Sequence, residues 1–139
     1  MRLISLKVAG AIALGLCAAS FACGSDVQDA DKFALGGIGV AGTISKGESA
    51  LRTILDAPDA VTQLEKMLPH ATDAGRLYIL VGLRMRDRAA YKRAFESYAK
   101  HDSTVETVRG CMISRESFQM LMRQIDRGNF DILLKQPPR

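Results

Sequence analysis

Residues 72–85 read TDAGRLYILVGLRM, and from Leu77 to Leu83 the run carries no charge. Thr72 suits a helix N-cap, because its hydroxyl can accept an amide proton that the first turn leaves unused. The spacing predicts a helix from about Asp73 to Met85. Such a helix is apolar on nearly every face and so should be the most enclosed element of the fold. A buried β-strand over the same run is the competing reading.

Towards the C-terminus, Asp87 caps a further helix from about Arg88 to Lys100, with Tyr91, Ala94, Phe95 and Tyr98 on one stripe. His101-Asp102-Ser103 ends it. Residues 104–114 mix β-branched side chains with Gly110 and read as extended. A last helix, about Arg115 to Arg127, buries Phe118, Leu121, Met122 and Ile125, and Gly128-Asn129 stops it. Towards the N-terminus, Ser45-Lys46-Gly47-Glu48 matches a capping box. A helix follows to about Asp56, burying Ala50, Leu51, Ile54 and Leu55. Pro58 fits the first position of another, in which Val61, Leu64 and Leu68 recur until Pro69. Thus the sequence predicts an all-α fold, a single small domain of about five short helices packed as antiparallel hairpins behind a glycine-rich N-terminal loop. Its expected divisions are an export signal at 1–22, a flexible tether at 23–32, the helical domain at 33–136 and a tail at 137–139. The helices between Ala57 and Lys100 resemble a HEAT-like pair stack in architecture, although no sequence period repeats.

The export signal is read from Met1-Arg2-Leu3-Ile4-Ser5-Leu6-Lys7 followed by an uncharged run from Val8 to Ala22. A basic end, an apolar core and small residues before a cut are the parts of a secretory signal, and the run is too short for a permanent span. Ser20-Phe21-Ala22-Cys23, followed by Gly24-Ser25-Asp26, resembles the lipobox of bacterial lipoproteins. That resemblance implies a diacylglyceryl group on Cys23, cleavage just before it and, with no Asp directly after the cysteine, sorting to the outer membrane. Ser20 stands where leucine is usual, and plain cleavage after Ala22, giving a secreted protein, satisfies the small-x-small rule as well. If Cys23 is not lipidated, Cys23 and Cys111 make a pair that could form a disulfide in an oxidising compartment.

The 139 residues suffice for one core. The formal charge is +4, and setting aside Arg2 and Lys7 leaves +2. This balance argues against nucleic acid as a partner. With no Trp and few aromatics, a base- or sugar-stacking surface is also poorly supplied. Gly37, Gly39 and Gly42 match the dinucleotide fingerprint literally. The apolar segment before them is short, no βαβ unit follows, and no acidic residue sits about 20 residues on in a strand, so a packed glycine loop is expected. His70 and His101 belong to no metal-spaced pair, and the cysteines show no CxxC spacing, so no metal or cofactor is expected. The carboxylates Asp56/Asp59 and Glu116/Asp126 share no apolar pocket that would raise a pKa. Cys111 with a histidine could make a nucleophile–base pair, the basis of an alternative reading as a small secreted enzyme. Core packing or a disulfide is the commoner fate of such a cysteine, and Met112, Met120 and Met122 read as adaptable core.

Arg84, Arg86, Arg88, Lys92 and Arg93 form the most distinctive cluster, interrupted only by Asp87. They could meet an acidic protein or an anionic envelope component, with the membrane reached through the N-terminal lipid. Together these features lead to an exported, lipid-anchored envelope protein that binds another macromolecule without catalysis, of inhibitor or immunity type in one concrete form. A structural envelope component is the remaining alternative.

Overall fold

The computed structural model describes residues 20–137. Most of the segment expected to be an export signal, and the tail beyond Pro137, lie outside the described residues. The chain is mostly helical, with seven helices and a two-stranded antiparallel sheet among the described residues. The helices are α1 (Ser20–Gln28), α2 (Lys46–Asp56), α3 (Ala60–Met67), α4 (Asp73–Arg86), α5 (Arg88–Ser97), α6 (Phe118–Asp126) and α7 (Asp131–Lys135). A 3₁₀ turn at Leu68–His70 follows α3, and the strands are β1 (Thr104–Arg109) and β2 (Met112–Ser117).

The three side-chain caps form as expected. Thr72 Oγ1 accepts from the Gly75 amide at 3.0 Å, Ser45 Oγ from the Glu48 amide at 3.0 Å, and Asp87 Oδ1 from the Ala89 and Ala90 amides. The predicted central helix is helical and sits in the middle of the fold. α4 packs against α1, α2, α3, α5, α6 and β1, and Leu77, Tyr78, Ile79, Leu80, Val81 and Leu83 have no solvent exposure. Glycine permits this crowding. A Cβ on Gly82 would lie 2.9 Å from Leu64 Cδ1 and 3.0 Å from Leu51 Cδ1.

The purely all-α expectation is corrected by the β1–β2 hairpin between α5 and α6. Its register pairs Val105 with Glu116, Thr107 with Ser114 and Arg109 with Met112. Residues 115–117, expected to open the last helix, therefore continue a strand, and α6 begins at Phe118. A cross-strand network outweighs helix propensity there: Thr107 Oγ1 donates to Glu116 Oε1 at 2.9 Å, and Arg109 reaches the same carboxylate. Pro58 precedes α3 without entering it, since Asp59 occupies the N-cap position. Beyond Gly128 the short helix α7, absent from the sequence reading, folds back so that Phe130 and Leu134 join the core.

The expected tether at 23–32 is also corrected. α1 crosses the Ala22–Cys23 bond and continues to Gln28, and Val27 is fully buried. The Thr72 amide donates to the Gln28 carbonyl at 2.9 Å. Polar composition hid a packed segment, because one valine and a few backbone acceptors are enough to dock it.

Candidate functional site

The basic cluster lies at the junction of α4 and α5, where Asp87 both ends one helix and caps the next. A junction of this kind turns neighbouring side chains to different sides, and the five cations separate accordingly. Arg84 leaves the surface. Its side chain is only 10% exposed, with Nε 3.2 Å from Asp131 Oδ1 and its guanidinium over the Tyr91 ring. Arg93 is exposed but pairs with Glu65 at 2.9 Å. Arg86, Arg88 and Lys92 are exposed and make no ion pair with any described residue. The predicted five-residue face thus reduces to these three.

Behind them lies a polar cluster. Tyr91 Oη donates to Asp126 Oδ1 at 3.1 Å. Burial, with the adjacent Asp126 carboxylate, pushes the Tyr91 phenol well above its ordinary range. Arg84, Tyr91, Asp126 and Asp131 thereby join α4 and α5 to the α6–α7 turn. This holds the basic junction on a rigid base.

The glycine loop carries a second polar cluster, built on the capping box. Its expected geometry is half fulfilled. Ser45 caps the Glu48 amide, but the Glu48 carboxylate, fully buried, turns away to accept from the Gly36 amide at 2.9 Å. The Arg52 guanidinium donates to the other oxygen at 2.8 and 3.0 Å. Arg52 also donates to the carbonyls of Leu133, Leu134 and Gln136. Ser45 and Tyr78 share the Ala34 carbonyl at 2.8 and 2.9 Å. Every strong donor and acceptor is engaged within the fold, so this cluster is a clasp. Gly37, Gly39 and Gly42 adopt positive φ here, as does Gly36. No strand–turn–helix phosphate cradle forms, because α2 starts only at Lys46.

The candidate catalytic groups are dispersed. Cys111 sits exposed in the β1–β2 turn, free of any disulfide and of any hydrogen bond to a histidine. This corrects the expectation that it packs in the core; the side chain of Cys23, its suggested partner, is outside the described residues. His70 is exposed in the 3₁₀ turn. His101 Nε2 lies 2.8 Å from Asp73 Oδ1 and its ring packs edge-on against Phe118. Asp56 and Asp59 flank Pro58 on the surface, while Glu116 and Asp126 take separate partners, Arg109 and Tyr91. Among the described residues no three His, Cys, Asp or Glu side chains gather to hold a metal ion, and no helix is long and apolar enough to cross a membrane. Of the three methionines read as core, only Met122 is buried; Met112 and Met120 are 74% and 54% exposed.

The extended reading of residues 104–114 covers β1 and the start of β2. What sequence reasoning missed is the hairpin pairing and the run of β2 on to Ser117, which leaves Met112 and Ile113 facing solvent on an outer strand. The signal available was Arg109-Gly110-Cys111-Met112, a two-residue turn in which Gly110 supplies the positive φ. With the geometry in place, comparison with known proteins finds no match among family models, curated proteins or solved structures.

Proposed function

We propose that this chain is an exported, lipid-anchored envelope protein that acts as a non-enzymatic binding module for an acidic macromolecule. The observation that carries the reading is the junction of α4 and α5, where Arg86, Arg88 and Lys92 stand exposed and make no ion pair with any described residue. Cations left uncompensated on a rigid helix junction produce a local positive potential that steers and orients an anionic partner. The Arg84–Asp131 and Tyr91–Asp126 contacts support it by fixing the junction, which lowers the ordering cost of binding. Export and anchoring rest on the basic–apolar–small pattern of residues 1–22 and on the lipobox-like run ending at Cys23.

The test compares wild type with the triple variant Arg86→Glu, Arg88→Glu, Lys92→Glu, each captured by affinity from the envelope of the native host. Loss of co-purifying acidic partners from the variant, with its thermal unfolding unchanged, is the expected result. Identical captures would reduce the junction to a solvated surface. Mass spectrometry of the mature N-terminus checks the anchor: an acylated Cys23 is expected, and a free unmodified amine would remove it.

A further inference from the structure

We infer that the outer edge of β2 takes an extended acidic segment of a partner protein as an added β-strand. This rests on reading the chain as a binding module, but it uses a different surface from the α4–α5 junction. The inner strand β1 is bonded on both sides. The Phe33 amide donates to the Glu106 carbonyl at 2.9 Å, and the Val108 amide donates to the Phe33 carbonyl at 3.1 Å. In an antiparallel ladder, successive residues alternate between bonding to one neighbour and to the other. Glu106 and Val108 therefore turn their backbone groups towards Phe33. Their partners in the register, Arg115 and Ile113, turn theirs away from β1. Neither residue bonds to any other described element, so an open pair of peptide edges faces solvent.

The side chains around this edge define the partner. Met112 is 74% exposed and Ile113 63% exposed, one on each face of the strand. Arg109 ties the hairpin to Gln124 of α6. Met120 and Arg127 lie four residues before and three after Gln124, on the same flank of that helix. Arg115 and Arg127 make no ion pair among the described residues. Glu106, across the ladder from Arg115, is itself paired with Lys32 at 3.0 Å. The edge thus offers apolar contacts beside arginines that make no ion pair of their own among the described residues, which suits a strand alternating apolar and acidic residues. Two alternatives fit worse. A second copy would add the same set of arginines to one seam, and that accumulation of like charge opposes pairing. Hydrocarbon would leave the open peptide groups without partners. A charge on an edge strand also guards against indiscriminate pairing, so Arg115 makes the edge selective for acidic strands.

The experiment titrates isotope-labelled full-length protein with a blocked peptide alternating valine and glutamate, and with its valine–lysine counterpart. Amide hydrogen exchange at Ile113 and Arg115 is followed by NMR. Saturable binding of the glutamate peptide, with exchange at both amides slowed, is expected. Ile113→Pro removes one outward donor at a position not bonded to β1, and should weaken binding about tenfold. Arg115→Glu, which leaves the backbone intact, should reverse the preference towards the lysine peptide. The junction variant Arg86→Glu, Arg88→Glu, Lys92→Glu should bind the glutamate peptide as wild type does, so the two surfaces can fail separately. The inference is overturned if both amides stay unprotected at saturating peptide. It is equally overturned if protection appears with protein concentration alone, or only on anionic vesicles.

Discussion

Asp73 shows how one side chain serves two levels of the structure. It stands in the first turn of α4, where a negative charge favours the helix dipole. It also accepts from His101 and from Arg76 at 2.8 Å each. Partial burial alone would raise its carboxyl. The nearby Ser103 hydroxyl, the His101 hydrogen bond and charge, and Arg76 outweigh that effect and hold it below the usual carboxylate value. A depressed folded value means that the unfolded chain takes up the proton first as the pH falls. The stability contributed by Asp73 is therefore fully present above its unfolded value of about 3.9 and is lost as the pH drops through the lower folded value. Asp73→Asn should be less stable than wild type near neutrality, by no more than about 1 kcal/mol for so exposed a pair. The gap should close on acidification, which urea unfolding of both proteins across the acid range would measure. A gap constant with pH would show that packing, and not charge, holds this site.

At the scale of elements, the close approach of α1 to α4 depends on Gly75. A Cβ there would sit 2.5 Å from the Val27 carbonyl oxygen and 2.8 Å from that of Gln28. Both neighbours are backbone atoms and cannot rotate aside. Gly75→Ala should therefore push the last turn of α1 off the start of α4, costing about 1–3 kcal/mol as overpacking does. Limited proteolysis after Gln28 should accelerate with it, whereas intact α1 with unchanged stability would show that α1 adds nothing to the core. This contact also shows what could be read in advance. Thr72, Asp87 and the apolar run of α4 have local causes, namely a cap and a period, and the structure bears them out. Gly75 carries no such local mark, because the atoms it makes room for lie on α1. The packed segment 23–32 was hidden for the same reason. The second half of β2 was hidden because Arg115-Glu116-Ser117 has little strand pattern of its own; cross-strand partners fix it. Of the basic face, Arg86, Arg88 and Lys92 were legible as exposed charges, whereas the burial of Arg84 needed Asp131, which lies far along the chain.

At the scale of the whole molecule, Arg52 connects segments that the sequence keeps far apart. Its guanidinium meets the buried Glu48 carboxylate, which in turn holds the Gly36 amide of the glycine loop. The remaining guanidinium hydrogens go to the Leu133, Leu134 and Gln136 carbonyls at the end of α7. One side chain thus satisfies the unused carbonyls of the last helix and the charge buried beside the first loop. Phe33 and Phe130, packed edge to face with centroids 5.2 Å apart, join the same two regions by apolar contact. If this junction completes the core, Arg52→Leu should cost more than the loss of a surface pair. Glu48 would be left buried with only the Gly36 amide as a hydrogen-bond donor to its carboxylate, a situation that typically costs about 3–5 kcal/mol. Urea unfolding should show that loss, and amide exchange should rise in α7 and the glycine loop together while α4 stays protected below the global transition. Faster exchange in α7 alone would mean that Arg52 caps the last helix without coupling the two ends of the chain.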